Sequence, residues 1–259
     1  MQLPPAHKRH NAKAAMPTPI LLLTRPEPAA RRFLAAVSER VEGFRPIVSP
    51  LLRIEPRGPL PQTDAVGAIF TSANGVAAWQ ALGGAPLPLC YTVGDATARA
   101  ARAAGFAPIS AQGNADALVA LIRAQAPRGP LIHLRGTHSR GDVARRLTDA
   151  GISVREAVIY DQPAQELSAE ALMALSGQAP VILPLFSART AQQVAQTPAG
   201  RAPLIVAAIS PEVADALGAL YVQRLEIPAR ADAEHMQAVV IGLLKDSGAL
   251  VKRHGSVEG

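Results

Sequence analysis

Cysteine, aromatic residues and lysine are scarce in this sequence, and each scarcity excludes a class of protein. Cys90 is the only cysteine among 259 residues, so the chain has no internal disulfide and no zinc site built from cysteines. Aromatic residues make up only 3%, which disfavours the stacking surfaces that bind RNA or single-stranded DNA. The few lysines lie near the termini and the arginines form no long run, so a DNA-binding arm is not expected.

Long apolar runs are also missing. No uncharged apolar stretch reaches the roughly 18 residues that suggest a membrane span, so no contact with a membrane is expected. Residues 1–16 are basic and lack the apolar stretch of a signal peptide, which predicts a disordered basic tail and a cytoplasmic protein. Met16 is an alternative start to Met1. Cys90 lies in the apolar stretch LPLCYTV and is expected in the core.

The rest of the composition is typical of a globular protein and favours an anionic ligand. Apolar residues make up 49% and charged residues 18%, with a formal net charge of +6. Most of the positive charge is arginine, whose planar group suits carboxylates and phosphates. A small anionic molecule is therefore a better candidate ligand than a nucleic acid.

Short apolar runs alternate with alanine-rich stretches of helical period, which predicts α/β units with parallel strands. Two extended stretches, Arg45–Pro56 and Val154–Gln162, interrupt the alternation because no helix adjoins them. The other predicted strands are Ile20–Thr24, Ala68–Thr71, Leu89–Val93, Pro108–Ser110, Leu131–Leu134, Val181–Phe186, Leu204–Ile209 and Arg224–Ile227.

An internal repeat indicates two similar α/β lobes, one inserted in the other. YTVGDATARAARAAGF at 91–106 aligns with AAISPEVADALGALYV at 207–222, and FTSANGV aligns with LFSARTA at nearly the same shift. LIHLRG resembles LLLTRP, but the two lie at opposite ends of their halves. The predicted domains are a tail (1–16), lobe 1 (17–45 and 163–259), lobe 2 (57–153) and two connecting strands (46–56 and 154–162) that form a hinge over a cleft.

Polar clusters follow the predicted strands, where parallel α/β sheets bind ligands. The helix starts at these positions carry unpaired N–H groups and can bind anions, although any one such cluster is more often only a helix cap. Several such clusters interleaved with arginines favour a polyanionic ligand. The candidate binding residues are Arg25, Thr71, Ser72, Asn74, Gly94, Thr97, Arg135, Gly136, Arg140, Ser187, Thr190 and Ser210.

Familiar catalytic and cofactor motifs are absent from the sequence. It contains no GxxxxGK[ST], no GxGxxG after a strand, no HExxH and no GxSxG, so neither a nucleotide cofactor nor a metal is expected. His133 lies within a predicted strand and is expected in the core, and His138 and His235 are isolated. Tyr160 ends the run AVIY, where its phenol either enters the cleft or packs at the strand end.

Taken together, FTSANGV, VGDATA, LRGTHSRGDVARRLTDAGISVREAVIYD and LLLTRP resemble the uroporphyrinogen-III synthase family over about residues 20 to 245. The resemblance implies two flavodoxin-like parallel-sheet lobes joined by a two-stranded β-ladder. It also implies an enzyme, a lyase, that closes hydroxymethylbilane to uroporphyrinogen III with loss of water and inversion of the last ring. No metal or organic cofactor is implied, and the partner is a linear tetrapyrrole polycarboxylate. A monomer is expected.

The resemblance also assigns roles. Tyr160 matches the tyrosine proposed to assist departure of the hydroxyl group, while Thr97, Ser72 and Ser187 match residues that line the cleft. One loop departs from the family pattern: Ser210-Pro211-Glu212-Val213 stands where relatives often have a glycine and two threonines. There either Ser210 supplies the hydrogen bond or backbone N–H groups bind alone.

A second hypothesis is a non-catalytic, two-lobed binding module or sensor for a small polyanion. The facing lobes and crossing strands fit this interpretation as well as they fit an enzyme. Turnover of substrate, as opposed to binding alone, separates the two hypotheses.

Overall fold

A computed structural model describes residues 17–139, 141–198 and 200–253. The predicted tail, residues 1–16, lies outside these ranges. The strands are β1 (Ile20–Leu23), β2 (Arg45–Val48), β3 (Glu55–Pro56), β4 (Gly67–Phe70), β5 (Leu89–Thr92), β6 (Pro108–Ser110), β7 (Leu131–Gly136), β8 (Val154–Asp161), β9 (Val181–Leu185), β10 (Leu204–Ala208) and β11 (Arg224–Glu226). The helices are α1 (Glu27–Ser38), α2 (Ala73–Ala81), α3 (Asp95–Ala103), α4 (Ala115–Gln125), α5 (Val143–Asp149), α6 (Ala169–Ser176), α7 (Ala188–Ala195), α8 (Pro211–Asp215) and α9 (Ala233–Arg253).

The chain divides into two compact units. Unit 1 combines the residues up to Leu51 with those from Gln165 onward, and unit 2 is Leu52–Ala164. Each contains one mainly parallel sheet, which confirms the predicted fold class of two parallel-sheet lobes, one inserted in the other.

The sheet of unit 1 has the order β11-β10-β9-β1-β2, and all its pairs are parallel. Counted along the unit, this is the flavodoxin-like order 2-1-3-4-5. Strands β1 and β9 are buried along their whole length, as expected when helices cover both faces of a parallel sheet. Helices α1 and α9 pack on one face, and α6, α7 and α8 on the other.

The sheet of unit 2 has the same order in a permuted chain. Its order is β3-β8-β7-β4-β5-β6, parallel throughout except for the antiparallel β3–β8 pair. If β7 is counted as the first strand, β8, β7, β4, β5 and β6 again read 2-1-3-4-5. Strand β7 therefore takes the place of β1, which explains why LIHLRG and LLLTRP resemble each other from opposite ends of their halves.

The two extended stretches differ from their predicted role. Arg45–Val48 is an edge strand paired in parallel with β1, and most of Val154–Asp161 is paired in parallel with β7. Only residues 52–57 and 159–164 pair with each other, through β3 with the end of β8 and through the bridge Leu52–Ala164. No helix of the same unit follows β2 or β8 directly, because after each strand the chain leaves one unit for the other.

Residues predicted for the core lie there. Cys90 and His133 are both buried, and burial raises the pKa of the Cys90 thiol to about 12. Within the part of the chain that the structure describes, no helix is long and apolar enough to cross a bilayer.

We predict that unit 2 folds by itself when residues 52–164 are expressed alone. Its first and last residues already pair as neighbours, and helices α2 and α3 on one face and α4 and α5 on the other give it its own core. The fragment should therefore show a cooperative thermal transition by circular dichroism.

The matched control is the fragment 57–153, which follows the lobe boundaries predicted from sequence. It lacks β8, which is hydrogen-bonded along β7, and should show no cooperative transition. Equal cooperativity of the two fragments would contradict the prediction.

Candidate functional site

The loop after β4 begins helix α2 at the carboxyl edge of the unit 2 sheet. Ser72 is the N-cap, and its Oγ accepts a hydrogen bond of 3.1 Å from the backbone N–H of Asn74. The cap explanation of FTSANGV is therefore confirmed for Ser72. Thr71, Ser72 and Asn74 all remain partly exposed, so the cap leaves polar atoms accessible at the start of the helix.

Tyr160 lies beside this cap, near the end of β8. Its side chain is buried and packs against two glycines, Gly75 and Gly136; a Cβ added at Gly136 would lie 2.6 Å from the ring. Burial raises the pKa of Tyr160, while hydrogen bonds with the Ser72 side chain and the Gly136 backbone act in the opposite direction. The phenol is therefore protonated at neutral pH, and its hydroxyl lies at the cap of α2.

A second polar group connects three neighbouring strands on the opposite face of this sheet. Nε2 of His133 lies 3.3 Å from Oγ1 of Thr71, and Nδ1 lies 3.2 Å from Oε1 of Glu156. Arg135 holds the same carboxylate with two hydrogen bonds, from Nε at 3.0 Å and from Nη2 at 3.1 Å. The guanidinium predicted to bind the ligand is thus engaged with Glu156.

Sequence reasoning missed the connection between Thr71, His133 and Glu156. It assigned His133 to the core, which is correct, and gave Glu156 no role. His133 and Arg135 are two residues apart on β7, so their side chains share one face of the strand. Which residue of β8 they contact depends on the register between the strands, in which His133 lies opposite Glu156. That register cannot be read from one sequence.

The remaining predicted residues of unit 2 lie apart from this group. Gly94 is the N-cap of α3 without a side-chain hydrogen bond, and Thr97 is buried in the first turn of that helix. They follow β5, the next strand after β4 in the sheet. Arg140 lies outside the described residues.

Unit 1 repeats the arrangement of caps. Ser187 caps α7 by accepting from the N–H of Thr190 at 3.2 Å, and their hydroxyls lie 2.8 Å apart. Ser210 caps α8 more weakly, with its Oγ 3.4 Å from the N–H of Val213. Val213 is buried, so the departure from the family pattern at this residue places a core side chain where relatives often have a threonine.

Arg25 supplies a cation at the carboxyl edge of the unit 1 sheet. Its guanidinium carbon lies 3.8 Å from the centre of the Phe186 ring, a cation–π contact. Burial, assisted by Arg32, lowers the pKa of Arg25 to about 10, so it keeps its charge at neutral pH. The neighbouring Thr24 hydroxyl is buried and has no hydrogen-bond partner among the residues described.

Chemically, the loops offer hydrogen-bond donors for anions and a neutral phenol. Within the described ranges, no three His, Cys, Asp or Glu side chains are grouped so that they could hold a metal ion. The donors are backbone N–H groups at helix starts, hydroxyls and Arg25, a set that suits carboxylates.

Comparisons with known proteins agree on one family. The profile described as uroporphyrinogen-III synthase HemD matches residues 35–238, which is more than half of the chain. No curated protein matches the sequence. Among solved structures, uroporphyrinogen-III synthetase from Helicobacter pylori 26695 aligns with 88% of this chain and 100% of its own, at 16% identity and a TM-score of 0.61.

A mutant uroporphyrinogen III synthase from the extremely thermophilic bacterium Thermus thermophilus covers 88% of this chain and 99% of its own at 18% identity. Its TM-score is 0.47. At 16% identity the Helicobacter structure supports the fold, and the family assignment comes from the profile.

We predict that the caps of unit 1 stabilise it unequally. Ser187→Ala should lower the free energy of unfolding by about 1 kcal/mol because an N–H at the start of α7 loses its acceptor. Ser210→Ala should lower it by less, since its hydrogen bond is longer. Ser187→Asp, which keeps an acceptor, is the control, and urea unfolding measures all three. Equal losses for both alanine variants would refute this ranking.

Proposed function

The chain belongs to the uroporphyrinogen-III synthase family, and we propose that its carboxyl-edge loops bind and fold the linear substrate of that family's reaction. The protein is an enzyme of porphyrin biosynthesis, a lyase that cyclises hydroxymethylbilane to uroporphyrinogen III. Water is lost and the last pyrrole ring is inverted in this reaction.

Tyr160 is the proposed catalytic residue. The supporting observation is that its hydroxyl lies at the cap of α2, hydrogen-bonded with Ser72 and Gly136. Because burial raises its pKa, the phenol has a proton to donate. A hydrogen bond to the departing hydroxyl group stabilises the negative charge that develops on its oxygen as the C–O bond breaks.

No external acid or base is consumed in such a cycle. The departing oxygen gains one proton to leave as water, and the ring carbon that forms the new bond loses one proton when the macrocycle closes. The phenol can therefore end the reaction in the state in which it began. The larger part of the task is to hold the reactive chain in one folded shape, so that inversion competes with simple closure.

Carboxylate binding is proposed for the helix starts and for Arg25. The substrate carries acetate and propionate groups on every ring, and helix N-termini with small capping residues bind such anions. Ser72 and Asn74 are the proposed contacts at the start of α2. The other proposed contacts are Gly94, Thr97, Gly136, Arg140, Ser187, Thr190 and Ser210. Arg135 is proposed to act indirectly, through Glu156.

A cytoplasmic location and a monomeric state are proposed as well. The single thiol, Cys90, is buried and unpaired, which suits a reducing compartment. No observation favours the alternative of a non-catalytic binding module.

We predict that the purified protein converts fresh hydroxymethylbilane mainly to the type III isomer. Unassisted closure gives the type I isomer, so the ratio of the two, measured by chromatography of the oxidised products, reports catalysis directly. A protein-free sample is the control. Type I product alone in the presence of the protein would contradict the assigned activity.

We predict that Tyr160→Phe lowers kcat by about 10²-fold, the low end of the usual contribution of general acid catalysis. KM should change little, because the ring keeps its packing against Gly136. Tyr221→Phe is the matched control, since the Tyr221 side chain is 85% exposed and should retain full turnover. Unchanged kcat in Tyr160→Phe would remove Tyr160 from the mechanism and leave the assigned reaction intact.

A further inference from the structure

We infer that Glu156 and His133 hold the Thr71 hydroxyl as a hydrogen-bond acceptor, so that Thr71 binds an N–H group of the ligand and not a carboxylate. The identity of the ligand rests on the proposed function, under which this group is a pyrrole N–H of the tetrapyrrole. Thr71 contacts the substrate, whereas His133 and Glu156 are positioning residues.

The three side chains form one chain of contacts across adjacent strands. Strands β8, β7 and β4 are neighbours, with His133 opposite Glu156 on one side and opposite Ile69 on the other. Thr71 follows Ile69 by two residues and so shares its face of the sheet. This register brings Oγ1 of Thr71 to 3.3 Å from Nε2 and Oε1 of Glu156 to 3.2 Å from Nδ1.

Glu156 can only accept a hydrogen bond. The two hydrogen bonds from Arg135 and the proximity of His133 hold the pKa of Glu156 below its usual value, although partial burial acts in the opposite direction. The side chain is also 40% exposed, so water stabilises its charge. An ionised carboxylate has no proton to donate, and Nδ1 of His133 must therefore carry the hydrogen that joins them.

His133 has one ring proton. Its side chain is fully buried, and burial lowers its pKa, although Glu156 opposes this effect. The neutral ring keeps its single proton on Nδ1, so Nε2 is an acceptor and the Thr71 hydroxyl must donate to it. A threonine hydroxyl has only one proton, and Thr71 is left with lone pairs alone for any other partner.

Thr71 is partly exposed and directly precedes the Ser72 cap. The start of α2 therefore offers an anion the positive end of the helix and the partly exposed side chains of Ser72 and Asn74, beside one side-chain acceptor for an N–H. A carboxylate oxygen placed against Thr71 would face the lone pairs of the hydroxyl oxygen and would find no hydrogen to accept. A pyrrole ring carries the N–H that fits, and its carboxylate substituents fit the neighbouring donors.

The charges around His133 come from its own sheet. Glu156 and Arg135 are the groups that affect its pKa. Helices α4 and α5 cover this face, and their charged residues Asp116 and Arg146 pair with each other at 2.8 Å. Replacing Glu156 by glutamine should weaken the arrangement, because Oε1 accepts from both Nδ1 of His133 and Nε of Arg135, and a neutral amide with one acceptor oxygen cannot serve all the donors that the carboxylate serves.

The first test is nitrogen NMR of the histidine rings, which distinguishes a protonated from an unprotonated ring nitrogen and needs no substrate. The His133 signal is identified as the one that Glu156→Gln shifts and that Asp64→Asn leaves in place. Asp64 is the matched control because its carboxylate also pairs with an arginine. That arginine is Arg155, at 2.9 Å, which lies next to Glu156 on β8. We expect Nε2 without a proton in the wild type; a proton on Nε2 would overturn the inference.

The second test is a double-mutant cycle on KM for hydroxymethylbilane. Thr71→Val should raise KM about 3- to 10-fold, the usual range for one lost hydrogen bond, and Thr71→Ser should restore it. Glu156→Gln should raise KM about 3-fold in the wild type but not further in Thr71→Val, with kcat little changed. Asp64→Asn should leave both constants unchanged. Effects of Glu156→Gln and Thr71→Val that multiply would overturn the inference.

Failure of this inference and failure of the proposed function give different results. A wild-type protein that forms no type III isomer contradicts the function, while the NMR measurement still reports the proton on His133. A wild-type protein that forms type III isomer with a protonated Nε2 keeps the function and loses the inference.

Discussion

Parallel pairing of β4, β7 and β8 is the constraint on which the proposed site depends. Parallel strands end at the same edge of a sheet, so Ser72, Gly136 and Tyr160 meet although they are far apart in sequence. The register allows little variation, because Gly136 lies opposite Tyr160 and any Cβ there would lie 2.6 Å from the ring. The glycine thus sets the position of the ring, and the ring sets the position of the hydroxyl.

Burial then decides the protonation of the polar side chains at this edge. It raises the pKa of Tyr160 and lowers that of His133, because in both cases it disfavours the charged form. The result is a neutral donor beside Ser72 and a neutral ring beside Thr71. Arg25 in the other unit keeps its charge. The proposed substrate carries N–H groups, which suit a neutral acceptor, and carboxylates, which suit a cation.

The permuted topology explains what the sequence pattern predicted correctly and where it was incomplete. The repeat between 91–106 and 207–222 predicted two similar units, and the two sheets have the same order once the permutation is allowed for. The strands at Arg45–Val48 and Val154–Asp161 are not followed directly by a helix of their own unit, because the chain changes unit there. Periodicity detects the missing helix, but it does not reveal that each strand first completes a sheet.

The sequence by itself determined the fold class, the buried strands, the family and the presence of a helix cap in FTSANGV, because these depend on local periodicity, on turn chemistry and on the order of motifs. The tertiary structure alone decided that Arg135 is engaged with Glu156, that His133 joins Glu156 to Thr71, and that Tyr160 packs on Gly136. Each of these contacts depends on the register between strands. A register is chosen by the packing of the whole sheet, and no single strand encodes it.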